Sequence, residues 1–376
     1  MKYRRDRRII MTLDGGGTKL AFSALRGGEE LIEPLIRPTG RGNLETTLKT
    51  IIDGFEDIRS RLPVKPAAVS IGFPAPADYR LGIIGDLENI PAFRGGVALG
   101  PMLEDHFEVP VIINNDGDLF AFGEYLGGML PEVNKMLEEE GNPRRYGNLL
   151  GVTMGTGMGG GIVAGGRMLE GDNSAQGEIN RVRNRLYTET SVEDSVSVRG
   201  VRRVYARESG IPLHEVPSPK EIFDIAMERR RGDLAAARRA YTELAIAAGD
   251  AIANAVTLLD GLVVIGGGLS GAYPIFLSRL VEEMNAAFLT LSGHSLPRME
   301  VTAFNLEDPG ELHRFLKEDR HEIRIPFSDR TIVYDGAKRV GVGITRLGAE
   351  RAVALGAWAT ALERLDKVER FERGNR

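Results

Sequence analysis

Cysteine is absent from the 376 residues, which excludes disulfides, thiolate metal sites and cysteine nucleophiles. Aromatic residues make up 6% of the chain, with one tryptophan. Neither sign of charge dominates: 48 Lys and Arg stand against 53 Asp and Glu, for a net charge of −5. That balance leaves no electrostatic footprint for nucleic acid. No uninterrupted apolar run reaches the roughly eighteen residues of a membrane helix, so no membrane span is expected. The basic opening "MKYRRDRR" lacks the apolar stretch of a signal peptide and reads as a solvated terminus. Together these absences favour a cytoplasmic protein. The length leaves room for two domains, and 42% hydrophobic with 27% charged residues is ordinary for a globular chain.

What the chain has in quantity is glycine, 47 residues of it. "MTLDGGGTKLAFSAL" (11–25) reads as strand, tight turn, strand, because apolar residues alternate on both sides of the glycines. "LLGVTMGTGMGGGIVAGG" (149–166) repeats the design, and "GLVVIGGGLSGAYPIFLSRLVEEM" (261–284) reads as strand, glycine turn, helix. Between them, "NLETTLKTIIDGFEDIRSRL" carries Leu44, Leu48, Ile51, Ile52, Phe55 and Ile58 at helical spacing. "VPVIINNDGDLFAFGEYLGG" predicts a strand, a polar turn at Asn114–Asp116, then a helix. Further helices are expected over about 199–209, 219–231 and 234–259, and at the tail "LGAERAVALGAWATALERL". The polar stretches 131–147 and about 303–330 read as surface insertions. The whole is an α/β pattern built from a duplicated unit.

The flanking residues decide which kind of turn the glycines make. A P-loop needs Gly-Lys-Ser/Thr opening a helix, whereas Thr18 precedes Lys19 and a strand follows. "GTGMGG" (155–160) matches a dinucleotide fingerprint by letters, yet no helix follows it. A hairpin that cradles phosphate fits better. Gly15, Gly16 and Gly17 free several main-chain N–H groups to converge, Thr18 adds a hydroxyl and Lys19 a positive charge. Asp14 is poised to hold magnesium, directly or through water. Gly155, Thr156 and Gly157 repeat the arrangement. Two such turns with a polar Asn-Asp turn between them suggest a nucleotide held across two domains.

"LDGGGTK" (13–19), "GFPAPAD" (72–78), "ENIPAF" (88–93), "INNDGDLFAFGE" (113–124), "GTGMGGGIVAGG" (155–166), "GEI" (177–179), "VVIGGGLS" (263–270) and "LGAWATAL" (355–362) follow one another in the order seen in ROK-family sugar kinases. The chain resembles that family, a branch of the actin–hexokinase ATPase superfamily. The resemblance implies a two-domain ribonuclease H-like, actin-like ATPase fold with a cleft between the domains. The first domain is expected over 1–117 plus 346–376 and the second over 118–345. It also implies ATP-dependent phosphorylation of a hexose or amino sugar, with the 6-hydroxyl of glucose as the default acceptor, and with Mg2+ as cofactor. Asp116 takes the place of the family's catalytic base, a role that a carboxylate near a sugar hydroxyl suits. Asn89, Asn115 and Glu178 take the places of sugar-hydroxyl ligands, where a carboxylate accepts charge-assisted hydrogen bonds. Gly266, Gly267 and Gly268 take the place of the turn beside adenosine. A homodimer is one assembly the family adopts.

The sequence departs from the family at one loop. Members usually carry a histidine three residues after the "GE" glutamate and a zinc held by three cysteines. Here that position is Arg181, and the five histidines, His106, His214, His294, His313 and His321, lie elsewhere. No zinc is expected. Ser191 falls in the frame of a zinc-loop cysteine and Glu193 in that of a sugar-contacting glutamate. Without the metal, Arg181, Arg183 and Arg185 against Glu189, Glu193 and Asp194 are the candidates to order residues 180–198. The departure keeps two alternatives open: a non-catalytic sugar sensor, or a kinase for an acidic or N-acetylated sugar. A transcriptional regulator of the family is disfavoured, since about eight residues precede the first strand.

Overall fold

The computed structural model describes residues 3–16, 19–39, 43–86 and 93–374. The chain divides into two compact units, Met1–Gly128 with Gly159–Glu178 and Arg346–Arg376, and Met129–Met158 with Ile179–Thr345.

The first unit is built on a mixed sheet. Strand Ile10–Gly15 pairs antiparallel with Lys19–Arg26 and parallel with Ala68–Gly72, which pairs parallel with Val111–Asn114. Leu35–Pro38 and Glu29–Glu30 add antiparallel partners to Lys19–Arg26. The central strands are buried on both faces, with Thr12, Ser23 and Ser70 enclosed among their apolar residues. Helix Leu44–Ser60 is capped by Asn43, whose side chain accepts from the Thr46 N–H at 3.0 Å. It buries Ile51, Phe55 and Ile58, and Phe55 meets Phe22 and Phe107 edge-on at 5.2 and 5.8 Å. The terminal segment departs from its expected solvated state. Tyr3 is buried with its ring edge-on to Trp358 at 6.1 Å, and Arg8 pairs with Asp6 and Asp366. The long C-terminal helix thus supplies acidic and aromatic partners that a local reading of "RRDRR" cannot reveal.

Two helices fix the chemistry-bearing end of this unit. Asp116–Gly127 and Ala349–Gly374 approach so closely that a methyl at Gly123 would collide with the Ala352 carbonyl, and one at Gly356 with the Leu119 carbonyl. The helix after the Asn-Asp turn and the segment 159–178 therefore belong with the first unit, whereas the sequence reading put them in the second domain.

The second unit has a parallel core in the order Leu149–Met154, Leu262–Gly266, Arg339–Ile344, Thr302–Asn305. Helix Leu234–Leu259 is long and apolar enough to cross a membrane, yet its residues from Ala236 to Val256 are largely buried in protein, as befits a core helix. Two stretches expected to be surface insertions contribute to the interior. Met129–Glu139 is a helix that buries Met129, Leu130, Val133 and Leu137, with Pro131 tolerated in its first turn. Thr302–Asn305 is a sheet strand with Ala303 buried. Its four residues were masked by the charged helix Pro309–Leu316 and by the exposed hairpin Arg320–Arg324/Thr331–Asp335 that follow. Strand Arg339–Ile344 went unassigned because glycines break its apolar run; a side chain at Gly341 would strike Leu306.

Candidate active site

Asp116 opens its helix directly after the edge of the sheet, and Asn115 is the cap. The Asn115 Oδ1 accepts from the Gly117 N–H at 2.8 Å and the Asp118 N–H at 3.3 Å. Its Nδ2 donates to the Tyr79 hydroxyl at 3.2 Å, and that hydroxyl donates to the Phe73 carbonyl at 2.8 Å. Most of the hydrogen-bonding capacity of Asn115 is therefore spent on holding the helix start, which leaves one amide hydrogen for another partner.

Six carboxylates of this unit, Asp14, Asp116, Asp118, Glu170, Glu178 and Glu350, act on one another. Burial pushes the Asp116 carboxyl up, main-chain N–H groups oppose the shift, and the Glu178 charge adds to it. Burial also raises Asp118 well above the ordinary carboxylate range, helped by Asp116, Glu178 and Glu170. Asp14 is pushed up to about 7 by burial, then by the charges of Asp116 and Glu350, with Lys19 pulling the other way. Lys19 is ion-paired with Glu350 at the start of the C-terminal helix. Burial and the charges of Asp116, Asp118 and Glu178 likewise raise Tyr79. A chain of electrostatic influence thus runs from Asp14 through Asp116 to Glu178. The arrangement is short of positive charge and suited to accepting protons or binding hydroxyls and cations.

The second unit carries the other glycines. In the turn after Met154, the Gly155 N–H donates to the Gly157 carbonyl at 2.8 Å, and the Gly155 carbonyl accepts from the Val198 N–H at 2.8 Å. Glu193 braces this turn. Its Oε2 accepts from the Met158 N–H at 3.0 Å, and its Oε1 pairs with Arg199 at 3.3 Å. Gly267 has φ +86°, and a Cβ there would strike the Met154 carbonyl. The Gly268 N–H lies 3.9 Å from where a Cβ on Gly155 would sit, so the structure brings these two turns together. A Cβ on Gly268 would point into open space. Thr156 is exposed beside them.

The structure thus collects Asp14, Gly15, Gly16, Lys19, Asn115, Asp116 and Glu178 in one unit, and Gly155, Thr156, Gly157, Glu193, Gly266, Gly267 and Gly268 in the other. Gly17, Thr18 and Asn89 lie outside the described residues. Three residues were missed by the sequence reading. Asp118 had a readable signal, a second carboxylate in the first turn of the same helix. Tyr79 and Glu350 reach the site from distant segments and had none. The expected arginine cluster is also replaced. Glu193 and Asp194 pair with Arg199 and Arg203 of helix Val198–Ser209, while Arg185 pairs with Glu283. The loop is ordered instead by fully buried Asn184, which donates to Ser195 Oγ at 2.8 Å and accepts from the Leu186 N–H at 3.0 Å. Tyr187 adds a hydrogen bond to buried Glu243 at 2.9 Å.

This architecture is the actin-like ATPase two-domain fold, shared with a ROK-family glucokinase from Streptomyces griseus solved with glucose and AMPPNP. That structure is 19% identical, with a TM-score of 0.61 over 93% of this chain and 98% of its own. The model of the ROK family matches residues 10–308, and the chain belongs to the ROK family. A glucokinase structure from Parabacteroides distasonis is 48% identical, covers 96% of this chain and 99% of its own, and superposes with a TM-score of 0.84. A glucokinase from Halalkalibacterium halodurans is 28% identical over 78% of this chain and 88% of its own length. An N-acetyl-D-glucosamine kinase from Escherichia coli is 27% identical over 76% and 92%. The kinship is with the sugar kinases of the family.

Proposed function

We propose that the protein transfers the γ-phosphoryl group of ATP to a hexose hydroxyl, with the 6-hydroxyl of glucose as the first acceptor to test. Asp116 is the general base: it accepts the hydroxyl proton as the sugar oxygen attacks the γ-phosphorus and the bond to the ADP oxygen breaks. The observation that carries this reading is the electrostatic chain Asp14–Asp116–Glu178. It links a carboxylate beside the first glycine turn, a partly accessible carboxylate at a helix start and a third carboxylate suited to sugar hydroxyls. A base raised above the ordinary carboxylate range has more affinity for the proton it must take. Glu178 and the remaining amide hydrogen of Asn115 orient hydroxyls, with Asn89 as a further ligand.

The residues present fit a nucleotide and a divalent cation. Beside the turns at Gly155 and Gly268, the places where Cβ atoms would stand are free of close contacts, which leaves main-chain N–H groups approachable by phosphate and adenosine. Gly15, Gly16, Gly17, Thr18 and Lys19 form the other phosphate turn in this reading, and Lys19 exchanges Glu350 for phosphate. Asp14 is an oxygen donor crowded by negative charge, which a cation would relieve. Among the described residues no cluster of three His, Asp or Glu side chains is arranged as a metal cage. Magnesium needs none, since it is usually held by one or two carboxylates together with phosphate and water. When bound, it neutralises phosphate charge. Glu193 acts by holding the second glycine turn in shape.

The relationship to an N-acetyl-D-glucosamine kinase favours one second reading, an N-acetylated acceptor. A coupled ADP-release assay over glucose, other hexoses, N-acetylhexosamines and acidic sugars decides between them. Turnover with glucose is the expected result. A preference for an N-acetylhexosamine selects the second reading, and no turnover with any sugar overturns both.

A further inference from the structure

The basic opening of the chain takes no part in the chemistry described above, yet from Tyr3 onward it has a definite form. Tyr3 is buried against Trp358. The Asp6 N–H donates to the Tyr3 carbonyl at 2.9 Å, and the Arg8 N–H donates to Asp6 Oδ1 at 2.8 Å. The turn so formed lies on a second one. Gly27 and Gly28, at φ +62° and +85°, make the two-residue connection between Lys19–Arg26 and Glu29–Glu30. A Cβ on Gly27 would strike the Arg4 carbonyl, so glycine serves there both for its backbone angle and for this close approach.

The two turns line an open cavity of about 420 Å³ with Arg4, Arg5, Asp6, Arg7, Arg26 and Gly27. The one carboxylate among them is already committed, since Asp6 accepts from the Arg8 guanidinium at 2.7 Å. Glu29, opposite Arg26 in the hairpin, pairs with Arg351 at 3.5 Å. Among the described residues no carboxylate lies within ion-pair distance of Arg4, Arg5, Arg7 or Arg26. Four guanidinium groups thus share one cavity without counter-charge, in a chain whose net charge is −5. Their mutual repulsion is relieved by an anion.

The lining fixes the chemistry of that anion. A single carboxylate or sulfate balances only part of the charge. A diphosphate or triphosphate group carries about three or four negative charges and accepts paired N–H bonds from several guanidinium forks. No apolar or aromatic side chain lines the cavity, so nothing there inserts into a lipid layer or stacks on a base. Recognition falls on the phosphates of a free small molecule. Strand Ile10–Gly15 separates the cavity from the first glycine turn, which sets it about 20 Å along the sheet from Asp14.

We propose that this cavity is a further phosphate-binding site, which holds a small molecule bearing a diphosphate or triphosphate group through Arg4, Arg5, Arg7 and Arg26, apart from the site of phosphoryl transfer.

Calorimetric titration of the full chain with inorganic tripolyphosphate, in about 0.15 M salt, tests this. The glycine turns also suit phosphate, so the arginine changes are made in a Lys19→Ala background, which weakens that other site. Lys19→Ala itself is expected to retain one tripolyphosphate site. Adding Arg5→Ala or Arg26→Ala, one from each turn, should weaken it about tenfold, and Arg5→Glu with Arg26→Glu should abolish it. Ligand-free melting temperatures of the arginine variants should be no lower than that of their parent, because these side chains have no partner to lose, and tripolyphosphate should raise the parent's more than theirs. Absence of a site in the Lys19→Ala protein overturns the proposal, and so does a site indifferent to the arginine changes. Citrate, a trianion without phosphate, is expected to bind more weakly; equal affinity overturns the assignment to phosphate. Tighter arginine-dependent binding to RNA or to anionic lipid vesicles overturns the assignment to a small molecule.

Discussion

The glycine turn after Asp14 and the glycine turn after Met154 read alike as sequence, each with a strand before it, a short run of small residues and a strand after it. In three dimensions they are supported differently. Gly15 is packed under the Phe73 ring, where a side chain has no room, and the Gly16 carbonyl accepts from Thr39 Oγ1 at 2.8 Å. This first turn is flanked by ionisable side chains: Asp14, Lys19 and, from the far end of the chain, Glu350. The ionisable neighbour of the second turn, Glu193, is instead tied to the Met158 N–H and to Arg199. That turn is also closed by its own Gly155–Gly157 hydrogen bond. The first turn offers side-chain charge and the second offers main-chain dipoles. Substitutions that alter charge should therefore act strongly near the first, and substitutions that alter backbone shape near the second.

The largest effect belongs to the charged unit. Asp116→Asn is expected to lower kcat by roughly 10²–10⁴-fold while leaving the KM for sugar nearly unchanged. Steady-state kinetics with sugar varied check this, and full activity would remove Asp116 from the base role. Asp14→Asn comes next, with a loss of about 10²-fold in kcat and a distinctive pH signature. The folded pKa of Asp14 is about 7, above the ordinary carboxylate value. The native protein thus keeps a proton that the unfolded chain releases, and stability from this group is present at low pH and lost as pH rises through 7. The ligand-free Asn variant should melt higher than wild type at pH 8, and the difference should shrink towards pH 4. Identical melting curves at pH 8 would show that Asp14 is not electrostatically strained. Gly157→Ala probes the second turn. Its methyl group would displace the Glu193 carboxylate, the movable end of a side chain. Losing that hydrogen bond is worth about 1.5 kcal/mol, so the KM for ATP should rise about tenfold with kcat less affected. A selective loss of sugar affinity would contradict the brace assigned to Glu193.

The strand pairs on either side of both glycine runs, the capped helix at Asn115–Asp116 and the helices over 44–60, 198–209 and 234–259 were legible in the sequence, because glycine clusters, caps and apolar periodicity are local signals. What was not legible depends on distant partners. Nothing near Lys19 announces Glu350, which lies more than three hundred residues along the chain. Nothing near Asn115 announces Tyr79, whose hydroxyl takes the amide proton that a sugar ligand would otherwise have free. The loop 180–198 was recognised as lacking a metal staple, but its replacement is fully buried Asn184, an inconspicuous residue between two arginines. Strand Thr302–Asn305 was hidden for the opposite reason: its own four residues carry too little pattern to stand out from a charged neighbourhood. Periodicity needs length, and pairing across the fold leaves no trace in either partner alone.

Gly268→Ala makes the smallest and most selective change. The new methyl meets no protein atom within 4 Å, and the residue is exposed, so packing gives no reason for this position to be glycine. The melting temperature of the ligand-free protein should be the same as wild type. If the main chain here lies against the nucleotide, the methyl intrudes on ligand alone, and the KM for ATP should rise severalfold with the KM for sugar constant. An unchanged KM for ATP would take Gly268 out of the nucleotide site and leave Gly267, held at positive φ against Met154, as a glycine kept for the fold.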